Sequence, residues 1–155
     1  MQENQLKKAA ILLGLSFLFL WGCGQKETHD DLNWTTDLGK AIKTAEAQHK
    51  AVLVNFTGSD WCKWCLKLSD EVFSKDEFKE WADKNLILVK VDFPEHKEQT
   101  NETKMYNRSL AQKFGVEGFP TIIIINDKGR IVAKTGYKEG GPIAYINHIK
   151  SFLGS

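Results

Sequence analysis

The chain has 155 residues, 42% of them hydrophobic and 26% charged, a composition that suits one globular domain with a core of its own. Its formal net charge is only +1. A chain so near neutrality lacks the basic surface that holds a phosphate backbone, which argues against a nucleic-acid partner.

The first residues differ from the rest. Lys7 and Lys8 precede an uncharged apolar run, Ala9 to Trp21. That run is shorter than the about 20 residues needed to cross a bilayer, but it suits the core of a signal peptide. It ends in Leu20, Trp21, Gly22 and Cys23, which resembles a bacterial lipoprotein box, although Trp21 departs from the small or aliphatic residue usual at its position. The resemblance implies a signal peptide over 1–22, lipid on Cys23 and a polar tether over 23–33. A plain signal peptide or uncleaved anchor, with Cys23 incidental, is the alternative. Several acyl chains would hold the protein firmly on a membrane surface, where a single chain binds only marginally.

Residues 34–155 read as the folded domain. Leu38, Ala41, Ile42 and Ala45 fall at helical spacing between Asp37 and His49, and Ala51 to Phe56 is a buried strand. Thr57 to Asp60 makes a turn, and a helix from about Cys62 carries Leu66, Val72 and Phe73. Ser74 and Glu77 form a capping-box pattern that predicts the start of a helix through Phe78 and Trp81. Leu86 to Val91 is a second buried strand. Pro94 to Lys104 is polar enough to predict an exposed loop before a helix over Tyr106 to Phe114. Thr121 to Asn126 and Arg130 to Thr135 flank a turn ending at Gly129, a hairpin signal. Gly140, Gly141 and Pro142 open a last helix whose predicted buried stripe is Ile143, Ile146, Ile149 and Phe152. This order predicts an α/β fold, a mixed sheet with helices on both faces.

The chemistry gathers at Trp61, Cys62, Lys63, Trp64 and Cys65. Two cysteines at this spacing can be a redox couple, half of a zinc site or a structural disulfide. Zinc takes about four Cys or His ligands, and no second pair is visible. His49, His96 and His148 are scattered over predicted surface elements. A helix starting at Cys62 would offer its free N–H groups to a thiolate, moving the thiol pKa from about 8.5 toward the roughly 3.5 to 7.5 of reactive cysteines. Cys62 would then be exposed and nucleophilic, and Cys65, one turn on and inward, would resolve the intermediate. With Cys23 assigned to lipid no odd thiol remains, and an exported location lets a disulfide persist.

Strand, Trp-Cys-x-x-Cys turn and helix together resemble the thioredoxin superfamily. Val116 to Thr121 is similar to the family's second active-site loop, and that likeness implies a cis-proline at Pro120 facing the disulfide. Asp60 to Cys65 followed by Glu71, Val72 and Phe73 is most similar to cell-envelope members, including the periplasmic domain of transmembrane disulfide-reductant carriers. The resemblance implies a thioredoxin-like fold, Cys62 and Cys65 as a catalytic pair needing no other cofactor or metal, and substrate contacts from Trp61, Lys63, Trp64, Phe119 and Pro120. It also implies disulfide-bonded or thiol-containing envelope proteins as substrates, a membrane or thioredoxin-type electron donor, and a monomer working as reductase or isomerase rather than oxidant. One departure stands out: the buried aspartate that many thioredoxins use to take the resolving cysteine's proton is matched here by Asn55, leaving Asp70, Glu71 or water to take that part. A non-catalytic binding module on the same scaffold is the rival reading.

Overall fold

The computed structural model describes residues 32–154. In chain order they form β1 (Trp34–Thr35), α1 (Leu38–Gln48), β2 (Ala51–Thr57), α2 (Lys63–Leu68) with a π-helical turn at Ser69–Phe73, α3 (Asp76–Asn85), β3 (Leu86–Asp92), α4 (Asn101–Lys113), β4 (Thr121–Ile125), β5 (Ile131–Thr135) and α5 (Gly141–Leu153). The five strands lie in the order β1-β3-β2-β4-β5. β1, β3 and β2 run parallel, and β4 and β5 run antiparallel to their neighbours. The signal peptide and Cys23 lie outside the described residues.

Alternation along β2 divides the core. Leu53 joins one cluster with Leu68, Val72 and Phe73, Phe78 and Ala82 of α3, and Tyr145 and Ile149 of α5. Val52, Val54 and Phe56 point the other way, onto Leu38, Ala41 and Ala45 of α1 and Leu110 of α4. Every residue of β2 is buried, as a central strand covered on both faces requires. The expected mixed sheet between two helical layers is therefore present.

Several local expectations are corrected. β1 was not foreseen, and Leu32, assigned to the polar tether, is buried at 9% exposure in the core. Ser74 does not cap α3. Its backbone is helical and its hydroxyl donates to the Asp70 carbonyl at 2.7 Å, so the cap position passes to Lys75, which makes no side-chain cap bond. α4 begins at Asn101 rather than near Tyr106, because Thr100 Oγ1 accepts the Thr103 N–H at 3.2 Å and starts the helix early. On α5, Ile143 is 55% exposed, and the buried place goes to Tyr145. His148 is half-buried rather than solvated, within 2.9 Å of Thr135 Oγ1.

Candidate active site

β2 delivers the chain to a turn that β3 holds. Asp92 ends β3 opposite Thr57, and its carboxylate accepts the Ser59 N–H at 3.0 Å and the Ser59 hydroxyl at 2.6 Å. Cys62 N–H donates to the Gly58 carbonyl at 3.0 Å, closing the turn. Gly58 is required there, since a Cβ would stand 2.5 Å from the Trp61 ring. Asp60 carries the tie further, accepting the N–H groups of Glu95 and His96 at 2.9 and 2.8 Å and fastening the polar loop beside the motif.

Cys62 caps α2 from an extended backbone, and its Sγ accepts the Cys65 N–H at 3.2 Å. The two cysteines form a disulfide across a Cα–Cα distance of 5.2 Å. Position and cap agree with the sequence reading, but exposure does not. Cys62 is 6% exposed and Cys65 5%, so the expected outward and inward cysteines are about equally buried. In the oxidised pair the sulfur of Cys62 is tied to its partner and to the helix end instead of projecting into water. A thiolate at that atom would keep the same N–H donor, which favours charge on sulfur.

Aromatic groups stand on two sides of the pair. Trp61, 40% exposed, donates its indole N–H to the Phe93 carbonyl at 2.7 Å and meets Phe119 edge-on at 5.9 Å. Phe93 and Phe119 pack at 5.1 Å. The Phe119–Pro120 peptide bond is cis, and Thr121 fixes the loop by donating to the Gly118 carbonyl at 2.7 Å. Trp64, 50% exposed, lies against Tyr137 at 5.4 Å. Lys63 is exposed. The structure thus gathers Trp61, Cys62, Lys63, Trp64, Cys65, Phe119 and Pro120 at one end of the sheet. The sequence reading missed Asp92, Phe93 and Tyr137. Strand register in the folded chain brings them here: Thr57 pairs with Asp92 and Ile122 with Thr135, so the residues that follow emerge at the same end.

A cavity of about 50 Å³ touches Cys65 and is lined on its polar side by Asn55, Thr57, Ser59, Ser69 and Lys90. Asn55 is 5% exposed and its Oδ1 has no hydrogen-bond partner. The space exceeds the about 15 Å³ that a water needs. Neither Asp70 nor Glu71 lines it. Glu71 is engaged elsewhere, pairing with Lys67 at 2.7 Å and accepting the Tyr137 hydroxyl at 2.5 Å.

Those two contacts make the Glu71 carboxyl titrate below its ordinary value of 4.5, the Lys67 hydrogen bond acting first and the Tyr137 hydroxyl second. A depressed carboxylate stabilises the fold above its unfolded pKa, and that contribution is lost as pH falls through the folded value. The hydrogen bond to Glu71 likewise keeps Tyr137 protonated beyond 10.0, so its share persists until pH rises past that range. The brace is therefore intact at neutral pH. Following the Glu71 carboxyl by NMR should give a midpoint below 4.5 that moves up in Tyr137→Phe. A wild-type midpoint at or above 4.5 would contradict the geometry.

A disulfide ring held at a helix end, with aromatic surface to either side, can open and close by exchange with thiols and disulfides. That is how thiol-disulfide oxidoreductases work, and this chain is one, its own cysteine pair serving as the redox group. It is 37% identical over 123 residues to the disulfide bond reductase DsbH of Chlamydia pneumoniae, covering 79% of this chain and 74% of that protein. A solved structure of DsbH oxidoreductase superposes with a TM-score of 0.74 at 36% identity, over 79% of this chain and 85% of the other. The thiol:disulfide interchange protein DsbD of Pasteurella multocida is 29% identical over 136 residues, 79% of this chain but 22% of that protein. The sequence model of the thioredoxin-like domain matches residues 38–144, and the chain belongs to that family. With relatives that are reductases, isomerases and interchange proteins, the reading as a non-catalytic module falls away. Among the described residues no group of three or more His, Cys, Asp or Glu could hold a metal, and no helix is long and apolar enough to cross a membrane.

Proposed function

We propose that this chain is a thiol-disulfide oxidoreductase of the bacterial cell envelope, tethered to a membrane by lipid on Cys23 and working as a monomer in the reducing or isomerising direction. The observation that carries the chemistry is the Cys62 sulfur at the head of α2, accepting the Cys65 N–H at 3.2 Å. In the reduced pair the Cys62 thiolate attacks one sulfur of a substrate disulfide, and the other substrate sulfur leaves as a thiolate that takes a proton. Cys65 then gives up its proton and attacks Cys62 Sγ. The second substrate sulfur departs and the 62–65 bond closes, so two electrons have passed to substrate. A membrane or thioredoxin-type dithiol donor then reduces the 62–65 bond to two thiols by the same exchange and is itself left as a disulfide.

Pro120 has no N–H, which leaves the Phe119 backbone to pair with an extended substrate segment. Trp61 shields the pair and Trp64 offers substrate an aromatic surface, while Lys63, exposed and screened, adds a weak favourable field. Similarity to proteins named disulfide bond reductase and interchange protein supports the direction, and Leu20 to Cys23 supports the tether. Purified protein with a dithiol donor should reduce insulin disulfides, and Cys62→Ser should abolish this. Turnover surviving that substitution defeats the proposal.

A further inference from the structure

Trp64, in the chain between Cys62 and Cys65, is a large apolar side chain left half in water, and its position is more firmly held than exposure alone would suggest. Its ring rests on Tyr137 at 5.4 Å. Tyr137 is in turn fixed from several directions: its hydroxyl donates to Glu71 at 2.5 Å, and Lys67, paired with Glu71 at 2.7 Å, lies 5.5 Å above its ring. The preceding residue is fixed as well. The Gly136 carbonyl accepts the hydroxyl of fully buried Tyr145 at 2.9 Å, and a Cβ on Gly136 would stand 3.0 Å from the Pro120 carbonyl.

This brace joins α2, the end of β5, α5 and the cis-proline loop behind one exposed indole. A surface ring already ordered binds without the loss of rotamer freedom that weakens most side-chain contacts. The two charges behind it, Lys67 and Glu71, pair with each other, so the surface the ring presents is apolar.

We propose that Trp64, positioned by Tyr137 and its Glu71–Lys67 tie, determines substrate choice at this site by taking an aromatic or large aliphatic side chain next to the substrate's reacting cysteine. The inference rests on the oxidoreductase reading and names its substrate class. An aromatic contact of this kind is worth roughly a three- to tenfold difference in rate or affinity.

Two disulfide peptides that differ only in Phe or Ser beside the cysteine test it. The wild-type kcat/KM ratio should favour Phe by about three- to tenfold, mainly through KM, and the preference should persist at high salt, since it is apolar. In Trp64→Ala the ratio should fall to about one. Trp64→Phe should restore most of it, and Tyr137→Ala, which removes the backing, should lower it in KM more than Tyr137→Phe, which keeps the ring. The Kd of the same peptides in reduced form for the Cys62→Ala/Cys65→Ala chain should show the same preference, which reads the shelf whether or not the pair turns over. Equal Kd values for the two peptides, or a ratio that Trp64→Ala leaves in place, would overturn the inference while leaving insulin reduction and the oxidoreductase reading untouched.

Discussion

Cys65→Ala is expected to stop the chain after half a turnover, leaving Cys62 joined to whatever protein it attacked. Release of a mixed disulfide within the molecule depends on a second sulfur standing ready, and the 5.2 Å Cα–Cα distance with the Cys62 Sγ to Cys65 N–H contact keeps that sulfur in place. Intramolecular attack commonly carries an effective concentration of about 10⁵ M or more, so its loss should reduce steady-state turnover by several orders of magnitude. The attacking step, by contrast, uses only Cys62 and should continue. Isolating the variant under acid quench and analysing it by non-reducing electrophoresis and mass spectrometry should reveal adducts at Cys62 that dithiol removes. Adducts dominated by exported, cysteine-containing proteins would also support the envelope assignment. A variant that still turns over would mean that Cys65 is not the resolving group, and one that accumulates no adduct in the presence of a disulfide substrate would mean that Cys62 is not the attacking group.

The second large effect concerns stability. Tyr145 is fully buried, in ring contact with Phe73 and Phe78 at 6.2 and 6.4 Å, and its hydroxyl donates to Gly136. Burial pushes its phenol well above the ordinary value. Truncating an aromatic of this size leaves a cavity and an unpaired carbonyl, so Tyr145→Ala should cost about 3–5 kcal/mol. Against a typical domain stability of about 5–15 kcal/mol that is a large fraction. Urea unfolding should show the midpoint lowered with an unchanged slope. Ile143→Ala on the same helix, at a position 55% exposed, should stay within about 0.5 kcal/mol of wild type. Similar losses at both positions would contradict the packing of α5.

That pair of residues shows where reading the sequence stopped short. A helical stripe through Ile143, Ile146, Ile149 and Phe152 satisfies the period, yet a stripe starting at Tyr145 satisfies it nearly as well, and hydrophobicity alone favours isoleucine. Which face turns inward is set by what α5 packs against, here Phe73 and Phe78 from elements more than sixty residues away in the chain. The Ser74 and Glu77 pattern misled for a similar reason. A capping serine must be extended, and the π-helical turn before α3 leaves Ser74 helical with its hydroxyl already bonded to Asp70.

What the chain's own order of residues determined is local in origin. The buried run Ala51 to Phe56, the turn from Thr57 to Asp60, the cysteine spacing and the Asn126 to Gly129 hairpin turn each follow from backbone freedom, periodicity or ring size within a few residues. Tertiary structure alone decided how much of Cys62 meets water, that Asn55 lines a small cavity beside Cys65 with its Oδ1 unbonded, and that Tyr137, Glu71 and Lys67 stand behind Trp64. These facts depend on which strands are neighbours and in what register. A chain's sequence encodes such pairings only through the sum of many weak contacts, whereas folding fixes them all at once.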